Sequence, residues 1–241
     1  MIATFEKKMH VLLASTSTLY GGSYLDYLLP EIEQLFDAAS EILFIPFARP
    51  GGITHEEYTS KVRNAFQSIG KSVRGLHEFE DMSAAVKNSS CFFTGGGNTF
   101  VLVSQLYRYG LMELLAPEIR AGKPYLGSSA GSNIAGVSMQ TTNDMPIVYP
   151  PSFTTMGLVP FNLNPHYLDP QAQSVHMGET RETRIREFHA FNSTPVIGLR
   201  EGSWMEVKNE QIELKGPLTA RLFMPNQEPV ELVPGVINEY I

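Results

Sequence analysis

The chain alternates short apolar runs with segments in which apolar residues recur every three or four positions. The short runs predict β-strands at 11–14, 42–46, 72–76, 90–94, 125–126 and 196–199. The periodic segments predict α-helices over 24–36, 55–69, 99–109, 111–121 and 179–190. Strands that alternate with helices in this way form mostly parallel sheets with helices on both faces. We therefore predict an α/β fold.

Two regions depart from this alternation. Residues 138–170 are polar and rich in proline, which predicts a long loop, and such loops inside compact domains are usually functional or disordered. Residues 204–214 alternate between apolar and polar positions around Asn209 and Glu210, which predicts a C-terminal β-hairpin. Because no repeat or linker divides the chain, we expect residues 1–241 to form a single domain.

Composition narrows the functional classes. The 241 residues have a formal net charge of -7 and no basic cluster, which argues against nucleic acid as a partner. The single cysteine, Cys91, excludes an intramolecular disulfide and a cysteine-ligated metal cluster, and it fits a cytoplasmic location. The apolar stretch at 9–14 is much shorter than the roughly 20 residues of a membrane span. We therefore expect a first strand there, with no signal peptide and no membrane contact. The oligomeric state stays open, with a monomer as the working expectation.

A glycine-flanked turn is the strongest candidate for chemistry. It has the sequence GSSAG at 127–131, between an apolar run and a segment that can begin a helix. This is the setting of a G-x-S-x-G nucleophile elbow, in which a tight turn exposes the serine hydroxyl, here that of Ser129. The next backbone N–H, of Ala130, lies at a helix start and can donate to an oxyanion. The pentapeptide predicts a catalytic serine, although alone it is only moderately specific.

A second glycine cluster, GGGNT at 95–99, also ends a predicted strand and begins a predicted helix. It lacks the lysine of a P-loop, and Phe100 stands where a dinucleotide-binding fingerprint has its third glycine. Two interpretations remain. The glycines either allow close packing of strand and helix, or they supply a second oxyanion donor from the N–H of Gly96 or Gly97.

A hydrolytic serine needs a base and a group that orients the base. His166 is the favoured base because it lies in the loop-rich stretch after the elbow, and His176 is the second candidate. Two carboxylates are candidates for orienting it. Asp144 lies between the serine and His166 along the chain, and Glu201 follows the last predicted strand. Each also has an ordinary structural interpretation, an Asx turn for Asp144 and an exposed loop charge for Glu201.

Taken together, several segments resemble the peptidase E (α-aspartyl dipeptidase) family of serine peptidases. They are IPFA at 45–48, GGGNTF at 95–100, SAG at 129–131, TTNDMPIV at 141–148, NPH at 164–166, GETRE at 178–182 and EG at 201–202. The resemblance implies a flavodoxin-like sheet related to the class I glutamine amidotransferases, which have cysteine where this chain has Ser129. It also implies cytoplasmic hydrolysis of dipeptides that begin with aspartate, with no metal or other cofactor.

The resemblance also assigns roles to residues of this chain. Ser129 corresponds to the nucleophile and His166 to the base. The family has two important acidic positions, which are Asp144 and Glu201 here, and the sequence leaves open which of them contacts the imidazole.

The remaining assignments concern the oxyanion and the substrate. Gly97 and Ala130 are expected to supply the two oxyanion N–H groups. Arg181 is expected to bind the aspartate carboxylate of the substrate as a bidentate fork, with Asn98 as a further substrate-binding residue. Ser128 is a departure, because relatives have a larger residue there. The alternatives are a cyanophycinase-like peptidase or an esterase on the same scaffold, or a binding protein without turnover.

Overall fold

The computed structural model describes residues 9–170 and 178–241. Twelve strands in these ranges form an eight-stranded sheet and a four-stranded sheet. Within the same ranges, no helix is long and apolar enough to cross a membrane.

Five parallel strands form one side of the larger sheet, as far as its edge. They are β1 (His10–Ala14), β2 (Glu41–Ile45), β3 (Ser72–Gly75), β4 (Phe92–Thr94) and β5 (Tyr125–Ser128). Their spatial order is β3-β2-β4-β5-β1, so the strand that ends at the serine turn lies between β4 and β1. The carboxyl ends of parallel strands are where open α/β sheets place their ligands. The two glycine-containing turns therefore lie at the same edge of this sheet.

The remaining strands extend the larger sheet and build the smaller one. They are β6 (Asn162–Pro165), β7 (Val196–Leu199), β8 (Trp204–Lys208), β9 (Gln211–Lys215), β10 (Ala220–Phe223), β11 (Val230–Leu232) and β12 (Gly235–Val236). Strand β8 pairs with β1 in antiparallel orientation and continues into β9 and β12. The second sheet has the order β11-β10-β7-β6, in which β6 and β7 are parallel. The predicted hairpin is confirmed as β8 and β9.

Helices cover both faces of the larger sheet. They are α1 (Leu29–Leu35), α2 (His55–Gln67), α3 (Met82–Asn88), α4 (Thr99–Arg108), α5 (Met112–Arg120) and α6 (Ala130–Asn133). A further helix, α7 (Arg181–His189), packs on the smaller sheet. Because side chains alternate along a strand, Leu12 of β1 packs in one core with α1 and α2. Its neighbour Leu13 packs in the other core with α3, α4 and α5. The predicted α/β architecture is therefore confirmed.

Two predicted elements differ from the observed ones. The helix predicted over 24–36 begins later, because Leu25 has a positive φ of 56° and a short 3₁₀ turn precedes α1. Pro30 then lies in the first turn of α1, where its missing N–H costs nothing. The stretch at 138–170 is not entirely a loop, because it contains β6. That strand has buried asparagines in place of apolar residues, so its pattern did not predict a strand.

Candidate active site

Ser129 has a strained backbone at the turn between β5 and α6. Its φ of 54° and ψ of -110° lie outside the regions that non-glycine residues usually occupy. The Ser129 N–H donates to the carbonyl of Ala14 at 3.0 Å, which fixes the turn to the end of β1. A side chain on Gly127 would overlap the backbone of Gly131, so the turn needs glycine there. This geometry is that of a nucleophile elbow, with the hydroxyl directed out of the sheet.

His166 follows β6 directly and also has a positive φ, of 55°. Its Nε2 lies 2.8 Å from Ser129 Oγ, and its Nδ1 lies 2.6 Å from Glu201 Oε1. The parallel register pairs Pro165 with Leu199, so the residues that follow β6 and β7 emerge side by side. The three side chains thus form a continuous hydrogen-bonded line from hydroxyl to imidazole to carboxylate.

Asp144 does not contact the imidazole. Its Oδ2 accepts hydrogen bonds from the Thr99 N–H at 2.7 Å, the Thr99 hydroxyl at 2.6 Å and the Thr142 hydroxyl at 3.0 Å. The carboxylate therefore lies at the N-terminus of α4, where the helix dipole favours a negative charge. Of the two acids that the sequence left open, Glu201 is the one beside the ring.

Asn98 joins the same loop to α4. Its Oδ1 accepts from the Val101 N–H at 3.1 Å as the N-cap of the helix, and its Nδ2 donates to the Met145 carbonyl at 2.9 Å. Both Asn98 and Asp144 thereby hold residues 142–145 against the start of α4. Their observed contacts are with the protein itself.

The glycine turn after β4 packs directly against the serine. A Cβ built on Gly96 would lie 2.9 Å from Ser129 Cβ, so only glycine allows this approach. Gly97 has a φ of 148° and packs against the carbonyl of Ala48. Within the described residues, the N–H groups of Gly97 and Ala130 donate to no protein acceptor. Both donors are therefore free for a ligand oxygen.

Arg181 is the first residue of α7. The helix is capped by Thr180, whose hydroxyl accepts from the Thr183 N–H at 3.1 Å, and it packs on the second sheet through Ile185. Burial holds the pKa of the Arg181 guanidinium below its ordinary value. The neighbouring Arg184 adds to this effect and Asp144 opposes it. Arg181 is thus a partly desolvated cation close enough to Asp144 to interact with it.

Ser15 contacts the site but was not singled out from the sequence. It is fully buried at the end of β1, accepts from the His166 N–H at 2.9 Å and donates to the Leu199 carbonyl at 2.7 Å. Its own N–H donates to the Ser203 carbonyl at 3.1 Å. One side chain therefore connects β1 to the ends of β6 and β7. Its position at the carboxyl end of the first predicted strand was the available signal.

The other predicted candidates lie elsewhere. His176, the second candidate for the base, is outside the described residues. Cys91 is buried, which raises the pKa of its thiol to about 11 and keeps it protonated and unreactive. Ser128 is fully buried in β5 beside Ala14, so it does not line an open pocket wall.

Comparison with known proteins identifies the family. The model of peptidase family S51 matches residues 11–215. A peptidase E from Streptomyces coelicolor is 49% identical over 227 residues, which cover 94% of this chain and 92% of that protein. A probable alpha-aspartyl dipeptidase from Drosophila melanogaster is 46% identical over 228 residues, which cover 93% and 94%.

Solved structures support the fold. A putative peptidase E from Listeria monocytogenes EGD-e aligns with a TM-score of 0.65 at 22% identity, covering 87% of this chain and 99% of that one. A peptidase from an acI-B1 Actinobacterium aligns with a TM-score of 0.71 at 15% identity, covering 95% and 97%. The resemblance predicted from the sequence is thereby confirmed, and the chain belongs to peptidase family S51.

Proposed function

We propose that this protein is a serine dipeptidase that releases aspartate from the N-terminus of Asp-Xaa dipeptides through an acyl-enzyme. The observation that supports it most directly is the line of Ser129, His166 and Glu201 at 2.8 and 2.6 Å. The names of the relatives, peptidase E and probable alpha-aspartyl dipeptidase, point to the same substrate class.

In the first half-reaction, Ser129 Oγ attacks the peptide carbonyl carbon while His166 Nε2 accepts the hydroxyl proton. Glu201 accepts a hydrogen bond from Nδ1–H, which fixes the tautomer and stabilises the imidazolium. The N–H groups of Gly97 and Ala130 hold the oxyanion of the tetrahedral intermediate. When the C–N bond breaks, His166 returns its proton to the leaving amine.

In the second half-reaction, a water molecule takes the place of the amine. His166 accepts a proton from this water, which attacks the ester carbonyl, and then returns a proton to Ser129 Oγ as the ester bond breaks. Free aspartate leaves, and the enzyme regains its starting protonation state. The same two backbone N–H groups serve both tetrahedral intermediates.

Selectivity for aspartate is assigned to Arg181. Its guanidinium is partly desolvated and forms no salt bridge or hydrogen bond with a carboxylate among the described residues, so a substrate carboxylate can complete its hydrogen bonds. In this proposal Asp144 and Asn98 shape the aspartate pocket by holding residues 142–145 against α4. Asp144 also offsets the charge of Arg181 when no substrate is bound.

The proposal extends to a monomeric enzyme in the cytoplasm that binds small peptides and no nucleic acid. The single cysteine supports the cytoplasmic location, and the net charge of -7 argues against nucleic acid as a partner. Size-exclusion chromatography with light scattering and cell fractionation test it separately from the activity.

Hydrolysis of Asp-Leu and Leu-Asp by the purified protein tests the reaction. We expect release of aspartate from Asp-Leu and no cleavage of Leu-Asp. We also expect Ser129→Ala to lower kcat by about 10⁴-fold or more, while thermal unfolding stays within a few degrees. A serine-directed fluorophosphonate should label the unaltered protein at Ser129 only. Full activity in Ser129→Ala, or equal cleavage of the two dipeptides, contradicts the proposal.

A further inference from the structure

Arginine side chains in the described residues fall into two groups. Among those that are partly buried, three form ion pairs with acidic side chains: Arg63, Arg200 and Arg221. The other two, Arg49 and Arg181, form no ion pair and no side-chain hydrogen bond with any described residue. Arg181 has a role in the proposed function, whereas Arg49 does not.

Arg49 lies beside the glycine turn at 95–97, which packs against Ser129. It follows Ala48, whose carbonyl accepts from the Asn98 N–H at 2.7 Å. Its guanidinium carbon lies 4.9 Å from the ring centroid of Tyr58, and the Tyr58 hydroxyl donates to the Gly96 carbonyl at 3.2 Å. Two separate contacts therefore fix the arginine beside the turn next to Ser129.

The donors of Arg49 are not satisfied by the protein. Its Nε is buried and has no hydrogen-bond partner among the described residues. A buried donor without a partner costs free energy, which a bound acceptor recovers. The planar guanidinium donates from a rigid fork that matches a carboxylate in two parallel hydrogen bonds. The stacking on Tyr58 holds that fork in place before a ligand arrives.

The contacts of the two unpaired arginines lie on opposite faces of the larger sheet. Arg49 stacks on Tyr58, which belongs to the core under α1 and α2. Arg181 interacts with Asp144, which is bonded to Thr99 at the start of α4 on the other face. A substrate with two negative groups, one on each side of the scissile bond, fits this arrangement.

An Asp-Xaa dipeptide has two such groups, the aspartate side chain and the α-carboxylate of the leaving residue. We propose that Arg49 binds the α-carboxylate of the leaving residue and so makes a free carboxyl group one residue after the scissile bond a requirement for efficient cleavage. This assignment rests on the proposed function and gives Arg181 and Arg49 one carboxylate each. In this assignment, the charge of Arg49 favours dipeptides over longer peptides, whose carboxylate lies further from the scissile bond.

A comparison of Asp-Leu with Asp-Leu-amide tests this role, because the amide removes only the distal charge. We expect the unaltered enzyme to have a kcat/KM about 10- to 100-fold lower for the amide, the size of one lost charge-assisted pair. Arg49→Gln should lower kcat/KM for Asp-Leu by a similar factor and change that for the amide by less than about twofold. Arg49→Lys, which keeps the charge and loses the fork, should fall between them.

Arg74→Gln is the matched control, because Arg74 also stacks on an aromatic ring, 3.8 Å from the centroid of Phe79. It should leave both substrates unaffected, and thermal unfolding should verify that each variant is folded. Equal cleavage of Asp-Leu and its amide by the unaltered enzyme overturns the Arg49 assignment while aspartate release still supports the proposed function. Equal losses on both substrates in Arg49→Gln overturn it as well. Failure to cleave either substrate overturns the proposed function itself and, with it, this assignment.

Discussion

Charged side chains are arranged differently in the C-terminal strands and in the candidate active site. In the strands, the nearly buried Glu206 lies within 2.8 Å of His10 and Lys208 and 2.5 Å of Lys215. Burial alone raises the pKa of Glu206, but the hydrogen bonds from these three residues outweigh burial and lower it to about 2. At the site, by contrast, Arg49 and Arg181 form no salt bridge or hydrogen bond with a carboxylate among the described residues.

Under the two proposals above, the paired charges stabilise the fold and the unpaired arginines bind a ligand. A buried ion that is paired in the folded state is costly to disturb, because removal of one partner leaves the other uncompensated. An ion left unpaired lowers the stability of the free protein and recovers that free energy when a ligand binds. Substitutions of the paired charges should therefore lower stability and leave activity intact, whereas substitutions of the unpaired arginines should lower activity and leave stability intact. The following predictions test this contrast.

The largest effect is expected for the acid beside His166. Glu201→Gln should lower kcat for Asp-Leu by about 10²- to 10⁴-fold, because an amide cannot stabilise the imidazolium that forms during attack. Steady-state kinetics, with unfolding curves for each variant, measure it. Glu210→Gln, an exposed acid in the β8–β9 turn, is the control and should be active. If Asp144→Asn reduces kcat with the same pH profile as Glu201→Gln, the assignment of Glu201 as the partner of the ring is wrong.

Arg181 and Arg200 provide the direct contrast between the two groups. Arg181→Gln should lower kcat/KM for Asp-Leu by about 100-fold or more and leave the free energy of unfolding unchanged or slightly higher. Arg200→Gln should cost about 1–3 kcal/mol of stability, since Arg200 pairs with Asp169 and Glu231 at 2.7 and 2.9 Å, and should retain activity. Urea unfolding and kinetics on both variants measure the two effects. A stability loss in Arg181→Gln equal to that in Arg200→Gln would contradict the distinction.

Ser15 belongs to neither group of charges. Its hydroxyl bonds only to backbone atoms, but one of these is the N–H of His166. Ser15→Ala leaves the His166 N–H without its acceptor, and we expect kcat to fall about 10- to 100-fold with KM within about twofold. Ser15→Thr should restore much of the loss. Ser203→Ala is the control, because Ser203 is equally buried and its hydroxyl donates to Leu218 instead. An equal kcat loss in both alanine variants would reduce Ser15 to a general packing role.

The smallest effect on catalysis is expected at Glu206. Its pKa in the folded protein is about 2, against 4.5 as the reference value, so its ionisation contributes stability above about pH 4.5 that is lost as the pH falls through 2. Glu206→Gln should therefore lower the free energy of unfolding by about 3 kcal/mol at pH 7 and by much less near pH 2, with activity retained at pH 7. Urea titrations across this pH range measure the difference. Glu213→Gln is the control, and a pH-independent deficit in Glu206→Gln would refute the electrostatic explanation.

The alternation of apolar runs predicted β1 to β5 and most of their helices, because each of these elements buries an apolar face. It did not predict β6, whose buried Asn162 bonds through its side-chain amide to Ser138, and whose buried Asn164 donates from its amide nitrogen to Thr141 and Asn143. Hydropathy cannot distinguish such a strand from a loop, since the compensating partners lie more than twenty residues away in sequence.

The sequence indicated which residues belong to the candidate site better than it indicated which of them contact one another. Local motifs and the family resemblance singled out Ser129, His166, Asp144 and Glu201 as candidates, because turn chemistry and strand ends are encoded nearby. Which acid contacts the ring depends on the pairing of β6 with β7, a long-range register that no local pattern encodes. Ser15 was missed for the same reason, since its partners lie 151 and 184 residues away along the chain.

The antiparallel pairing of β1 with β8 determines when the larger sheet can be completed during synthesis. All five parallel strands and the serine turn leave the ribosome before β6 and β7, and β8 joins β1 only after Glu201 has been made. A domain generally folds from its N-terminus during translation. Ser129 is therefore synthesised before His166 and Glu201, and the hydrogen-bonded line proposed for catalysis cannot form until the chain beyond β7 has been made.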